Sequence, residues 1–362
     1  MKENLIKTAL LFILVIEIVG SALVISSKMK DIEKISTFPQ LIPVTLLLSE
    51  ALVKEESLSL INEFLPWQLA WELVTAGAAW TNRDAHTLTV FNNEIWLLGG
   101  VGGTAPDYSQ NKSEIWKTEN GKDWTLVTNK AAWGKRRAHS VEVFNGKMWV
   151  IGGWEGNGLR NDVWFSADGI NWSQVTASAA WTARKGHATA VFADKIWVFG
   201  GFDASGAKSD VWNSADGINW VKVTSSAAWP RKYDLETEVY DGKIWLAGGV
   251  FPDDAGDADV WVSADGKNWE LVTENPGWPG RHGHCLIAFN NNLWIIGGWN
   301  GQGRGYNDVW YSTDGKTWEQ TEWPSAWSAR EDLTCVVFEN MIWMTGGMET
   351  GGTRTNDVWR AY

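Results

Sequence analysis

The sequence predicts an all-β fold, a propeller of six four-stranded blades closed by a strand from its own N-terminal side. Three observations carry this. One unit of about fifty residues recurs six times with its landmarks in register, spaced 48, 49 or 53 residues apart. Each unit holds apolar runs separated by turn signals. The first landmark in the chain matches the end of a unit and the last matches its third quarter.

The copy at residues 181–220 shows the unit plainly. An apolar segment from His187 to Phe192 meets the turn Ala193-Asp194, and Lys195 to Phe199 returns to Gly200-Gly201. A polar loop leads to a third strand around Val211-Trp212, and Asp216-Gly217 turns the chain into a fourth at Trp220–Val223. Asn-Gly and Asp-Gly between apolar runs favour two-residue hairpins, because a type I′ turn needs positive φ at both central residues. The unit therefore reads as two tight hairpins in series. Double glycines recur at Gly99, Gly152, Gly200, Gly248, Gly297 and Gly346, each with a second glycine after it. Third-strand tryptophans are Trp116, Trp164, Trp212, Trp261, Trp310 and Trp359; fourth-strand ones are Trp71, Trp124, Trp172, Trp220, Trp269 and Trp318. Four strands per fifty-residue repeat indicate a propeller blade.

These residues resemble the kelch repeat: an apolar strand ending in Gly-Gly, then an aromatic residue, then a Trp about a strand later. The resemblance covers residues 67–362 and implies a six-bladed kelch-type propeller. Segments such as Ser166 to Trp172 and Ser312 to Trp318 are also similar to the Asp-box of sialidase-type propellers, but one residue short, so they are read as hairpins. Trp71-Glu72-Leu73-Val74-Thr75 matches a fourth strand, and the chain stops at Tyr362 after a third strand. Residues 67–76 thus supply the missing strand of the last blade, pairing two sheet edges that an open ring would leave bare.

Upstream, residues 1–27 hold an apolar run over 8–25 between lysines. This is the pattern of a secretory signal peptide or a membrane anchor. The expectation is an exported protein, periplasmic, cell-surface or secreted, with the run either cleaved or kept as a tether. Residues 28–66 lack repeat character and read as a linker, with an amphipathic helix over 46–65. Net charge is −12, with no basic stripe. That argues against a nucleic-acid partner, because phosphates would be repelled at long range. The two cysteines, Cys285 and Cys335, stand at adjacent offsets in neighbouring repeats. Adjacent offsets point to opposite strand faces, so two buried thiols are expected rather than a disulfide. No CxxC spacing is present, and neither a metal nor a cofactor is called for.

Comparison among the six copies separates invariant positions from variable ones. Arg83, Arg136, Arg184, Lys232, Arg281 and Arg330 share one position, and His86, His139, His187 and His284 share another, held by Leu235 and Leu333 in repeats four and six. The basic set is either a ring of braces to neighbouring blades or an anion site. Kelch domains that bind peptides use arginines at this place, which keeps Arg136, Arg184 and Arg281 as ligand-binding candidates. The histidines read as core residues bonded to backbone groups. After Gly-Gly the residues vary, and aromatic or polar pairs such as Trp154-Glu155, Phe202-Asp203 and Trp299-Asn300, with Glu349 in repeat six, suit sugar or peptide recognition. Trp154 and Trp299 stand out because they lie outside the four standard Trp positions. Asp234 and Asp332 break the repeat two blades apart, and with Arg330 they could form an acid–base set or only local ion pairs. The acidic run Asp253, Asp254, Asp257 and Asp259 could hold Ca²⁺ or be a solvated loop.

Three functions remain open at this level. One is a module binding a protein or glycan through the post-Gly-Gly loop face. Another is a sugar-modifying enzyme resembling the exported sialic-acid mutarotases, with Asp234, Asp332 and Arg330 as catalytic candidates. The third is a scaffold without a small ligand. A copper enzyme similar to galactose oxidase is set aside, because no adjacent Tyr-His pair is present.

Overall fold

A computed structural model describes residues 69–105, 107–321 and 325–362. The expected signal or anchor, the linker and the amphipathic helix lie outside the described residues. Among the described residues no helix is long and apolar enough to cross a membrane.

Six four-stranded antiparallel sheets make the blades. Their first strands are Thr87–Phe91, Ser140–Phe144, Ala188–Phe192, Glu236–Tyr240, Cys285–Phe289 and Thr334–Phe338. Each packs beside the first strand of the next blade, and the sixth packs beside the first. The last sheet is completed by Trp71–Thr75, which pairs with Val358–Ala361 in the register Trp71↔Ala361 and Leu73↔Trp359. Glu72 and Arg360 form an ion pair across that seam at 2.9 Å. The ring is closed as the order of landmarks predicts.

Local chemistry explains the landmarks. The turns between first and second strands are type I′ pairs; Ala193 and Asp194, for instance, have φ of 47° and 57°. The second hairpin is not the tight turn expected. In blade 3 the register joins Asn213 to Val221, leaving a seven-residue loop. Here the Asp216 carboxylate accepts the N–H groups of Ile218 and Asn219, both at 2.8 Å, and so stands in for a strand partner. Gly217 is the one positive-φ residue of the pair. A Cβ at Gly217 would collide with the Trp149 ring of the preceding blade, and Gly169, Gly266 and Gly315 face Trp96, Trp197 and Trp245 likewise. All the second-strand Trp but Trp294 are thus wedged beneath a loop of the next blade, Trp343 under Gly121 included, so the apolar core lies between blades. One cluster joins Phe199 of blade 3 to Trp229, Leu246 and Trp261 of blade 4.

The same stacking corrects the cysteine expectation. Cys285 and Cys335 form a disulfide, with Cα atoms 6.0 Å apart. In a ring of sheets, the front of one blade faces the back of the next. A bond between neighbouring blades therefore needs residues that point to opposite faces of equivalent strands. Adjacent offsets, which would prevent pairing within one sheet face, are what bring these two sulfurs together.

Candidate functional site

The invariant arginines are braces, and each braces its own blade rather than a neighbour. Arg184 is fully buried. It makes a two-pronged ion pair with Asp210 at 2.7 and 2.9 Å and donates to the Gly200 carbonyl at 2.7 Å. Asp210 also accepts the Trp212 indole N–H at 2.8 Å. The trio recurs as Arg136–Asp162–Trp164, Arg281–Asp308–Trp310 and Arg330–Asp357–Trp359. Arg83 pairs with Glu114, and Lys232, which is shorter, pairs with Asp257. Arg136, Arg184, Arg281 and Arg330 are therefore engaged inside the protein. The histidines are core groups, as expected, but His86 and His139 meet threonine hydroxyls, not backbone: His86 sits 2.8 Å from Thr345 and His139 3.3 Å from Thr87. Histidine rings fill the space over the first glycine of four Gly-Gly pairs, and Leu235 and Leu333 do so over Gly200 and Gly297; a Cβ at Gly99 would lie 2.8 Å from His139. Burial holds these imidazoles neutral, His86 and His187 both down to about 3.

The six first strands enclose a central channel of about 500 Å³. Its mouth is drawn in by a collar. Ala85, Ala138, Gly186, Asp234, Gly283 and Asp332, one per blade, all adopt left-handed φ between 47° and 56°. Each of five donates its N–H to the collar carbonyl of the preceding blade, at 2.7 to 3.2 Å, as in Asp234 to Gly186 and Ala85 to Asp332. The collar explains why repeats four and six break the pattern. The Asp234 carboxylate lies over Gly186 and that of Asp332 over Gly283, so a side chain there would collide. An aspartate on the collar needs a glycine in the blade before it, and the sequence supplies one in both cases.

Asp234 and Asp332 are not in ion pairs among the described residues, contrary to one of the two expectations for them. The carboxyls around them crowd one another. Burial, then the charges of Asp332, Asp84 and Asp234, push Glu331 up to about 9. Burial and the Asp234 charge raise Asp332. Deeper in the wall, burial and then Asp234 and Asp332 hold Glu236 at about 8, and burial and Glu142 do the same for Glu238. Asp84 is paired with Arg354 at 2.9 Å.

Immediately before the collar stand Asp84, Arg137, Lys185, Tyr233, His282 and Glu331. Their backbones pair with the first residues after Gly-Gly: Arg137 with Trp154, Lys185 with Phe202, Tyr233 with Val250, His282 with Trp299. The two sets form an inner and an outer ring on one face. In the outer ring Val101 and Val250 are buried, while Trp154, Phe202 and Trp299 are half-buried. Their polar neighbours are occupied locally. Glu155 pairs with Arg160, Asp203 with Lys208 at 2.9 Å, and Glu349 with Ser328; Asn300 accepts from the N–H groups of Gln302 and Arg304. In blades 2 and 5 the strands run on past Gly-Gly to Trp154 and Trp299, which pair with Leu159 and Gly305. The long loop after Gly99-Gly100 brings Tyr108 against the guanidinium of Arg137, 4.2 Å from the ring centre, with Arg354 at 5.3 Å. Phe202 meets Tyr233 edge to face at 5.1 Å.

The inner ring, the wall carboxyls Glu142, Glu236 and Glu238, and Tyr108 were not singled out from sequence. The signal was present for the inner ring: the residue after each invariant base differs in all six copies. The carboxylates of the acidic run 253–259 are engaged locally. Asp254 accepts from Tyr233 at 3.0 Å, Asp257 is paired with Lys232, and no acidic or histidine group able to hold a metal occurs among the described residues.

Among curated proteins, none matches the sequence. A solved structure titled "Structure of YjhT" matches in fold, with 17% identity, a TM-score of 0.64, and 79% of this chain and 96% of that one covered. The family described as the KLHDC2/KLHL20/DRC7 Kelch-repeats domain matches residues 62–249, and the Kelch motif matches residues 280–321. With the Gly-Gly, Trp and brace positions accounted for, the chain belongs to the kelch-repeat family.

Proposed function

We propose that this chain is a ligand-binding propeller that takes a carbohydrate or a protein segment at the channel mouth, on the face of the post-Gly-Gly loops. One observation carries the reading. Asp84, Arg137, Lys185, Tyr233, His282 and Glu331 hold one repeat position beside the collar, yet no two are alike. The residue directly before each is a buried Arg or Lys in an ion pair. A variable position carried by an invariant brace is how a rigid frame presents a recognition surface. Trp154, Phe202 and Trp299 add half-exposed rings around it. Glycan and peptide arrays probed with the full-length protein test the reading. Trp154→Ala, Trp299→Ala and Arg137→Ala should each weaken a bound ligand, the Trp changes by about 2 kcal/mol. Hits that all three variants bind like the parent would move the site elsewhere.

Export is part of the proposal. The apolar run 8–25 supports it, and so does the Cys285–Cys335 disulfide, since such bonds persist in oxidising compartments. Alkylation of protein taken from its native compartment should find neither thiol free; two alkylated cysteines would remove that support.

A second reading, a sugar-modifying enzyme of the mutarotase type, draws on the carboxyls at the mouth that burial and like charges raise, Glu331 and Asp332. Arg330 is engaged by Asp357, so Arg137 would take its part beside Asp332. Proton-exchange kinetics on sialic acid, with Asp332→Asn as the control, decide it: no enhancement by the parent protein ends this reading.

A further inference from the structure

We infer that the mouth is built for a zwitterion, a ligand that carries an anionic group and an ammonium group on one short skeleton. The inference rests on the reading of the mouth as the ligand site and adds the ligand's charge pattern to it.

Arg137 and Lys185 occupy the same repeat position in adjacent blades, and both are half-buried. Among the described residues neither has a carboxylate partner, whereas all six of the bases directly before this position do. Arg137 lies against the Tyr108 ring and its Nε is buried without a hydrogen bond. The Lys185 ammonium stands 6.0 Å from the Phe202 ring centre. An aromatic face holds a cation in place without cancelling its charge. The opposite side of the mouth is the reverse. In a ring of six, blade 6 stands across from blade 3, so Glu331 and Asp332 face Lys185 over the channel. Among the described residues no Arg or Lys pairs with Glu331 or Asp332; the His282 ring lies 4.0 Å from Glu331.

Opposite charges in a flexible site would collapse on each other. Here the frame keeps them apart. The loop bearing Tyr108 is tied to blade 6 by Arg354, which donates to the Gly102 carbonyl at 3.1 Å, and by the Ala105 N–H to Gly352 at 3.2 Å. The N–H of Asp332 is tied to the collar at 2.8 Å. A purely cationic ligand would leave Arg137 and Lys185 part-buried and uncompensated, which is costly, and a purely anionic one would make no use of the carboxyl side. A ligand with both charges satisfies the two sides together. The crowded carboxyls fit this reading: burial and the neighbouring carboxylates raise both, Glu331 to about 9, and an incoming ammonium would lower them. Protons should then be released on binding.

Titration calorimetry of the full-length protein tests this with triglycine, N-acetyl-triglycine and triglycine amide. Muramic acid, a sugar with a free amine and a carboxylate, forms a separate arm. The expected result is that a zwitterion binds about tenfold or more tightly than either blocked peptide. Its heat should depend on the buffer's ionisation enthalpy, as proton release requires. Arg137→Gln and Lys185→Gln should erase the penalty for amidation, and Asp332→Asn the penalty for acetylation. Preference for triglycine over muramic acid, or the reverse, tells whether a peptide end or an amino-sugar acid supplies the two groups. Blocked peptides binding as well as the free one, or no probe binding at millimolar concentration, overturns the inference. Array hits that depend on Arg137 and Trp154 but carry charge of one sign would overturn it too, while leaving the mouth as the site.

Discussion

The collar allows a test in which the molecule provides its own control. Gly186 sits at φ 55°, and Asp234 of the next blade lies over it. Ala85 and Ala138 occupy the same position in adjacent blades at φ 47°. Left-handed backbone is therefore accepted by alanine here, and what forbids it at Gly186 is the Asp234 carboxylate. Gly186→Ala alone meets both costs, about 1 kcal/mol for the backbone and about 1–3 kcal/mol for the overpacked contact. A total loss of about 3 kcal/mol is expected. In the double variant Gly186→Ala with Asp234→Ala the contact is gone, and the pair copies Ala85 followed by Ala138. About 1 kcal/mol should then remain as loss. Urea denaturation of the parent, both single variants and the double variant closes the cycle, with an expected coupling of about 1–3 kcal/mol. Additivity within about 0.5 kcal/mol would refute the claim that each collar aspartate requires a glycine before it.

Deleting residues 67–76 should abolish cooperative unfolding, because Trp71–Thr75 is the outer strand of the last blade; an unchanged melting curve would refute ring closure by that strand. Arg184→Ala strands Asp210 beside a buried cavity and should cost about 3–5 kcal/mol by denaturant titration, whereas a loss under about 1 kcal/mol would mean the brace is dispensable. Stability should fall as pH rises from 6.5 to 9. Glu331, Glu236 and Glu238 have folded values of about 9, 8 and 8, above their ordinary range, so the fold holds these protons and loses that stability as they leave. The four buried histidines act in the other direction: their values are lowered, so stability falls as pH drops below 6.5. Denaturation midpoints should peak near about pH 6, and a flat profile between 6.5 and 9 would contradict the crowded-carboxyl account.

What could be read from the sequence follows from which interactions are local. Turns such as Ala193-Asp194 and wedges such as Trp149 are set within one repeat or between identical neighbours, so six copies repeat the signal until architecture and ring closure are legible. The brace position was legible as invariant, but its partner was not, because Arg184 and Asp210 lie on opposite sides of a hairpin and only the fold brings them together. Contacts across blades were the hardest to see. Face parity within one strand is a rule for one sheet, and it misled for Cys285 and Cys335 because the sheets that meet present opposite faces. The same geometry pairs Glu142 with Thr189, one offset apart in adjacent blades, at 2.7 Å. Parity should therefore be inverted whenever strand residues in neighbouring blades are compared. The collar pairs Gly186 with Asp234 and Gly283 with Asp332 stand at one repeat position and follow a different rule, set by the bond of each collar aspartate's N–H to the carbonyl of the blade before. Function in this propeller is then to be sought where a residue departs from the repeat and its neighbour in the adjoining blade has changed to make room.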